Sequence, residues 1–183
     1  MSYKQLEMME EISASFNNED SFGLKEASNR ALGLAVAGFD KTYAKIAIAA
    51  YVLSKITSKE HILKNPLWHD VKNTILKALE DAAEILRKNK AKKFEKKLGE
   101  IEEDTREIDK KFGNYLKNTW DKAKIKIASS AYAQGLSLSQ ATEIAGADKA
   151  DLQNYIGFTK IHDEGKTSSS MKHRMKILRE VFA

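Results

Sequence analysis

Proline occurs once in this chain of 183 residues, at Pro66, and glycine only nine times. Proline removes a helix hydrogen bond and glycine weakens a helix. Long stretches without either favour helices over many short strands joined by turns. Hydrophobic residues at 42% and charged residues at 31% make a globular composition rather than a disordered one. The fold class expected is all-α. An N-terminal helical bundle covers 1–88, and a long polar amphipathic helix forms an arm or connector over 89–134. A C-terminal two-helix unit with a basic final helix covers 135–183.

Hydrophobic spacing places the elements. A first helix from about Tyr3 to Phe16 carries Leu6, Met9, Ile12 and Phe16 on one face. A second follows Ser21, with Leu24, Ala27, Ala31, Leu34 and Ala35 inward, Gly38 ending it and Asp40 capping the next. Lys41 to Ile56 is apolar nearly all round, as suits the middle of a bundle. Pro66 suits the first turn of a further helix, whose seam is Trp68, Val71, Ile75, Ala78, Ala82 and Ile85. A second seam runs through Phe94, Leu98, Ile101, Thr105, Ile108, Phe112 and Tyr115. Its phase does not continue the first, which predicts a break near "KNKAK" and two antiparallel helices. The heptad-like spacing suits either packing within the chain or a dimerising coiled coil.

Much chemistry is excluded. Cysteine is absent, so there is neither a disulfide framework nor a thiolate ligand or nucleophile, and a reducing, cytoplasmic setting is expected. The first residues, "MSYKQLEMMEEISASF", are charged throughout and do not read as a secretory signal. The most apolar run, Ala31 to Ile56, is interrupted by Asp40, Lys41 and Lys45, so no membrane span is expected. His61 and His69 are separated by Pro66, and His162 and His173 lack helix-spaced partners, so no metal is expected. No histidine follows an arginine at the spacing of helical HEPN ribonucleases, and "AVAGFDKT" lacks the spacing of a phosphate-binding loop. Neither a cofactor nor a catalytic residue is expected, and the chain does not read as an enzyme.

The net charge of +5 is unevenly placed. Residues 87–99 carry seven basic and one acidic group, residues 100–109 one basic and six acidic, and residues 166–183 five basic and one acidic. The run "RKNKAKKFEKK" is either a solvated helix turn or a phosphate-binding patch. The stripe Met171, Met175, Leu178 and Phe182 predicts a docked tail helix.

The stretch "GLSLSQATEIAGADKADLQNYIG" predicts two short helices. Ser137 and Gln140 have the spacing of a capping box. Leu138, Ala141 and Ala145 point inward, and Gly146 sits where a positive φ is useful. Asp148 caps the second helix, with Asp151 in its first turn and Leu152, Tyr155 and Ile156 on its buried side. Ala141, Thr142, Ala145, Gly146, Ala147, Leu152 and Tyr155 occur at the spacings of the helix-turn-helix superfamily. The stretch resembles segments of small prokaryotic regulators and antitoxins, over about 20 of 183 residues. Thr142 stands where an alanine is usual.

The resemblance implies that the second helix enters the major groove of double-stranded DNA. Its base-facing residues would be Lys149, Ala150, Gln153 and Asn154. Gln153 and Asn154 carry amides that suit adenine's edge. Against this stands local charge: Glu143, Asp148 and Asp151 accompany Lys149, the sole cation of the motif. Phosphate contacts would have to come from Lys122, Lys124 and Lys126 before the motif, or Lys166, Lys172, Arg174, Lys176 and Arg179 after it. The expected function is DNA binding in transcription regulation, with the bundle or arm supplying homodimer contacts. The alternative is a non-enzymatic, antitoxin-like module that binds a protein partner and uses the motif structurally.

Overall fold

The computed structural model describes residues 2–111 and 118–159. The fold is all-α, and no strand occurs among the described residues. The helices are α1 (Ser2–Asn17), α2 (Ser21–Gly38), α3 (Lys41–Thr57), α4 (Glu60–Leu63) and α5 (Trp68–Arg87). They continue with α6 (Ala91–Lys111), α7 (Thr119–Ala133), α8 (Leu138–Ala145) and α9 (Lys149–Thr159). None is long and apolar enough to cross a membrane among the described residues.

Local chemistry explains most helix ends. The Asp20 carboxylate accepts from the amides of Phe22 and Gly23 at 3.1 and 2.9 Å, capping α2. Asp40 caps α3 in the expected way, accepting from Thr42 at 2.7 Å and Tyr43 at 3.3 Å. Gly38 closes α2 as expected, and the left-handed residue that follows it is Phe39, at φ 50°. Two details depart from the sequence expectation. Pro66 lies in the turn ahead of α5, whose first helical residue is Trp68, because Asn65 closes that turn. Its carbonyl accepts from Trp68 N and its side chain from Leu67 N. Leu6, Leu34 and Ile85 are only half-buried, and Leu86 takes the inward place beside Ile85.

Contacts divide the chain into two compact units. The first is the described part of Met1–Asn29 and Ala49–Trp120, and the second is Arg30–Ile48 with the described part of Asp121–Ala183. α2 and α3 each contribute residues to both, and the stretch expected as a connector divides at Trp120.

In the first unit α5 packs against both α1 and α6. Met9, Ile12 and Phe16 of α1 are buried with Trp68, Val71, Ile75, Leu79, Ala82 and Leu86 of α5. The rings of Phe16 and Trp68 meet edge to face, with centroids 5.9 Å apart. The expected break lies between α5 and α6, with Asn89 at φ 52°. Phe94, Leu98, Ile101 and Thr105 of the second seam are buried within the chain. The Thr105 hydroxyl donates to the Ile101 carbonyl at 2.6 Å. Ile108, Phe112 and Tyr115 lie outside the residues whose side chains are described. Glu19, in the turn after α1, ties that turn to α5: its carboxylate accepts from Trp68 Nε1 at 3.0 Å and Lys72 Nζ at 2.8 Å. Those bonds, Lys72 first, hold the Glu19 carboxyl below the usual range.

In the second unit the core comprises Ala31, Leu32, Ala35 and Val36 of α2 and Tyr43, Ala44, Ile46, Ala47 and Ile48 of α3. Ala123, Ile127, Ala128 and Ala131 of α7 are buried in the same unit. Burial, and secondarily the Asp40 carboxylate, pushes the Tyr43 phenol up, so it stays neutral.

Candidate functional site

The site grows from the end of α7. Gly135 takes φ 99°, and the backbone turns so that Leu136 N donates to the Ala131 carbonyl at 3.2 Å. Leu136 is thereby buried, and the chain is aimed into α8. Ser137 and Gln140 form the full capping box. Ser137 Oγ accepts from Gln140 N at 3.2 Å, and Gln140 Oε1 accepts from Ser137 N at 3.0 Å. Four residues of α8 face inward: Ala141, Thr142, Ile144 and Ala145. Leu138, expected inward, is only half-buried, and Ile144 supplies the apolar area in its place. Thr142 is tolerated at its small-residue position because its hydroxyl donates back to the carbonyls of Leu138 and Ser139, at 3.1 and 2.9 Å.

Gly146 ends α8 at φ 62° and ψ 37°, the left-handed region where a Cβ is disfavoured. Ala147 N donates to the Thr142 carbonyl at 3.0 Å and completes the turn. Asp148 then starts α9, its carboxylate accepting from Ala150 N at 2.8 Å and Asp151 N at 3.0 Å. Leu152 is fully buried, and Tyr155 and Ile156 are half-buried on the same side. α8 and α9 pack on each other.

The outward side of α9 carries Lys149, Ala150, Gln153 and Asn154, all exposed. At 3.6 residues per turn these four fall within an arc of about 140°. Of the expected phosphate contacts, Lys122 and Lys126 share one side of α7, four residues apart, whereas Lys124 projects from another. Lys122 is exposed and Lys124 and Lys126 are half-buried. Lys166, Lys172, Arg174, Lys176 and Arg179 lie outside the described residues, as do His162, His173 and the Met171–Phe182 stripe.

The three carboxylates of the motif differ in their surroundings. Glu143 is paired with Lys41 Nζ at 2.9 Å, a contact spanning 102 residues of sequence. Both side chains are more than half exposed, so the pair contributes at most about 1 kcal/mol. Asp148 faces the amides at the start of α9, where a negative charge is favourable. Asp151 is exposed. Sequence spacing carries no sign of the Lys41–Glu143 pair, and hydrophobic patterning alone groups residues 30–48 with the N-terminal bundle. Nothing in a local pattern announces that they share a unit with α8 and α9.

Other chemistry is sparse. His69 approaches the Asn73 amide at 3.1 Å on an exposed turn of α5. Among the described residues no group of three or more potential metal ligands converges. Comparison of the chain with protein-family models, with curated proteins and with solved structures gives no match.

Proposed function

We propose that α8 and α9 form a helix-turn-helix that binds double-stranded DNA, and that the protein acts in transcription regulation. The observation that carries this reading is the pair of short, separately capped helices joined at left-handed Gly146. That joint leaves α9 with Leu152 inward and Lys149, Ala150, Gln153 and Asn154 outward. Those four are the residues that the superfamily resemblance assigns to the base edges. The pairing of Glu143 with Lys41 and the capping role of Asp148 offset part of the acidic character that opposes a phosphate-lined groove.

Fluorescence anisotropy with random-sequence duplexes at two salt concentrations tests the reading. The parent should bind, and more weakly at the higher salt. Lys172→Ala with Arg174→Ala should weaken binding on every sequence and flatten the salt dependence, since each lost phosphate contact lowers the logarithmic slope by about 0.9. A parent that shows no salt-sensitive binding is not a DNA-binding protein. The exposed Asp151, and Lys149 as the motif's sole cation, favour a second reading in that event: an interaction module whose partner is a protein.

A further inference from the structure

We infer that the outward side of α9 selects A·T base pairs through the major groove, an inference that rests on the DNA-binding reading above. Gln153 and Asn154 are exposed, and neither amide has a partner among the described residues. A carboxamide offers a donor and an acceptor side by side. Adenine presents the matching pair in the major groove, N6–H as donor and N7 as acceptor. Guanine presents two acceptors, N7 and O6, and would set the amide oxygen against one of them.

The neighbours of the two amides agree with them. Ala150 lies one turn before Asn154 on the same side, and its exposed methyl is the kind of group that packs on the C5-methyl of thymine. Side chains at this spacing stand about 5–6 Å apart, which spans two or three successive base pairs at about 3.4 Å each. The usual readers of guanine are arginine and lysine. Residues 135–157 contain no arginine, and their single lysine, Lys149, has its ammonium 3.5 Å from Ser139 Oγ on α8. Asp151 could accept from the amine of cytosine, but it lies about 60° beyond the edge of the arc shared by the four outward residues.

The test separates the major groove from the minor groove chemically. Inosine·cytosine pairs show the major-groove edges of G·C and the minor-groove edges of A·T. Anisotropy titrations would use alternating A·T, I·C and G·C duplexes of equal length at two salt concentrations. The full-length protein should bind the A·T duplex about tenfold or more tightly than the I·C duplex, the value of one good bidentate contact. The I·C and G·C duplexes should be bound alike. Replacing thymine by uracil removes one methyl per pair and should weaken binding about fourfold for each methyl that is packed. Gln153→Ala with Asn154→Ala alters only exposed amides, so the variant should fold as the parent does, yet lose the preference for A·T over I·C. Equal binding of A·T and I·C duplexes, or an unchanged preference in the double variant, overturns the assignment and leaves DNA binding standing. Absence of salt-sensitive binding to all three duplexes removes the DNA-binding reading itself, and this inference with it.

Discussion

Gly146 and Gly99 both have open space where a Cβ would point, yet the two positions carry opposite consequences. Gly146 holds φ 62°, where an L-residue pays for its side chain even without a clash. Gly99 is an exposed interior position of α6 with ordinary helical backbone, where glycine only adds freedom to the unfolded chain. Gly146→Ala should therefore cost about 1–2 kcal/mol, whereas Gly99→Ala should gain about 0.5–1 kcal/mol. Urea unfolding of the two variants beside the parent measures both, and equal signs would contradict the backbone assignment at one of them. Gly146 was legible in the sequence because a polar cap and an apolar run flank it on each side. Phe39 was not. A bulky aromatic in the left-handed region runs against every local preference, and Gly38 beside it is the residue those preferences select. Glu19 was equally hidden, because its partners Trp68 and Lys72 come from an element some fifty residues away.

Periodicity located the helices well. The change of phase between the seams of α5 and α6 marked the break that the structure puts between Arg87 and Ala91. Capping side chains at Asp40, Ser137 and Asp148 did the same for three helix starts. Amphipathic spacing left open whether the second seam packs at home or against another copy. For its described part the structure answers within the chain, since α6 lies on α5 with Phe94, Leu98 and Ile101 at most 4% exposed. Ile101→Asp would set an unpaired carboxylate in that seam and remove a branched side chain. Loss of the side chain alone should cost about 2 kcal/mol or more, and burial of the charge adds to it. Circular dichroism melts should show a large fall in midpoint, and an unchanged midpoint would mean that the seam is not packed.

The helix inventory does not reveal which helices belong together. α3 is apolar nearly all round, and such a surface fixes depth but not partners. Its Lys41–Ile48 portion joins α7, α8 and α9 in one unit, while Ala49–Thr57 joins α1, α5 and α6 in the other. A chain starting at Asn118 keeps α7, α8 and α9 but lacks Ile46, Ala47 and Ile48, which are buried in the intact unit. Expressed alone it should show little helix by circular dichroism and no cooperative melt. Parent-like helicity per residue would show that α7, α8 and α9 are self-sufficient. The same division bears on how the protein is made. Arg30–Ile48 emerges from the ribosome about 70 residues ahead of the segment that shares its core. At about 5–20 residues per second, that apolar stretch waits some 4–14 seconds for its partners. During translation its apolar side chains wait that long without the partners they pack on, and slowing the ribosome upstream of Asp121 should lengthen their exposure.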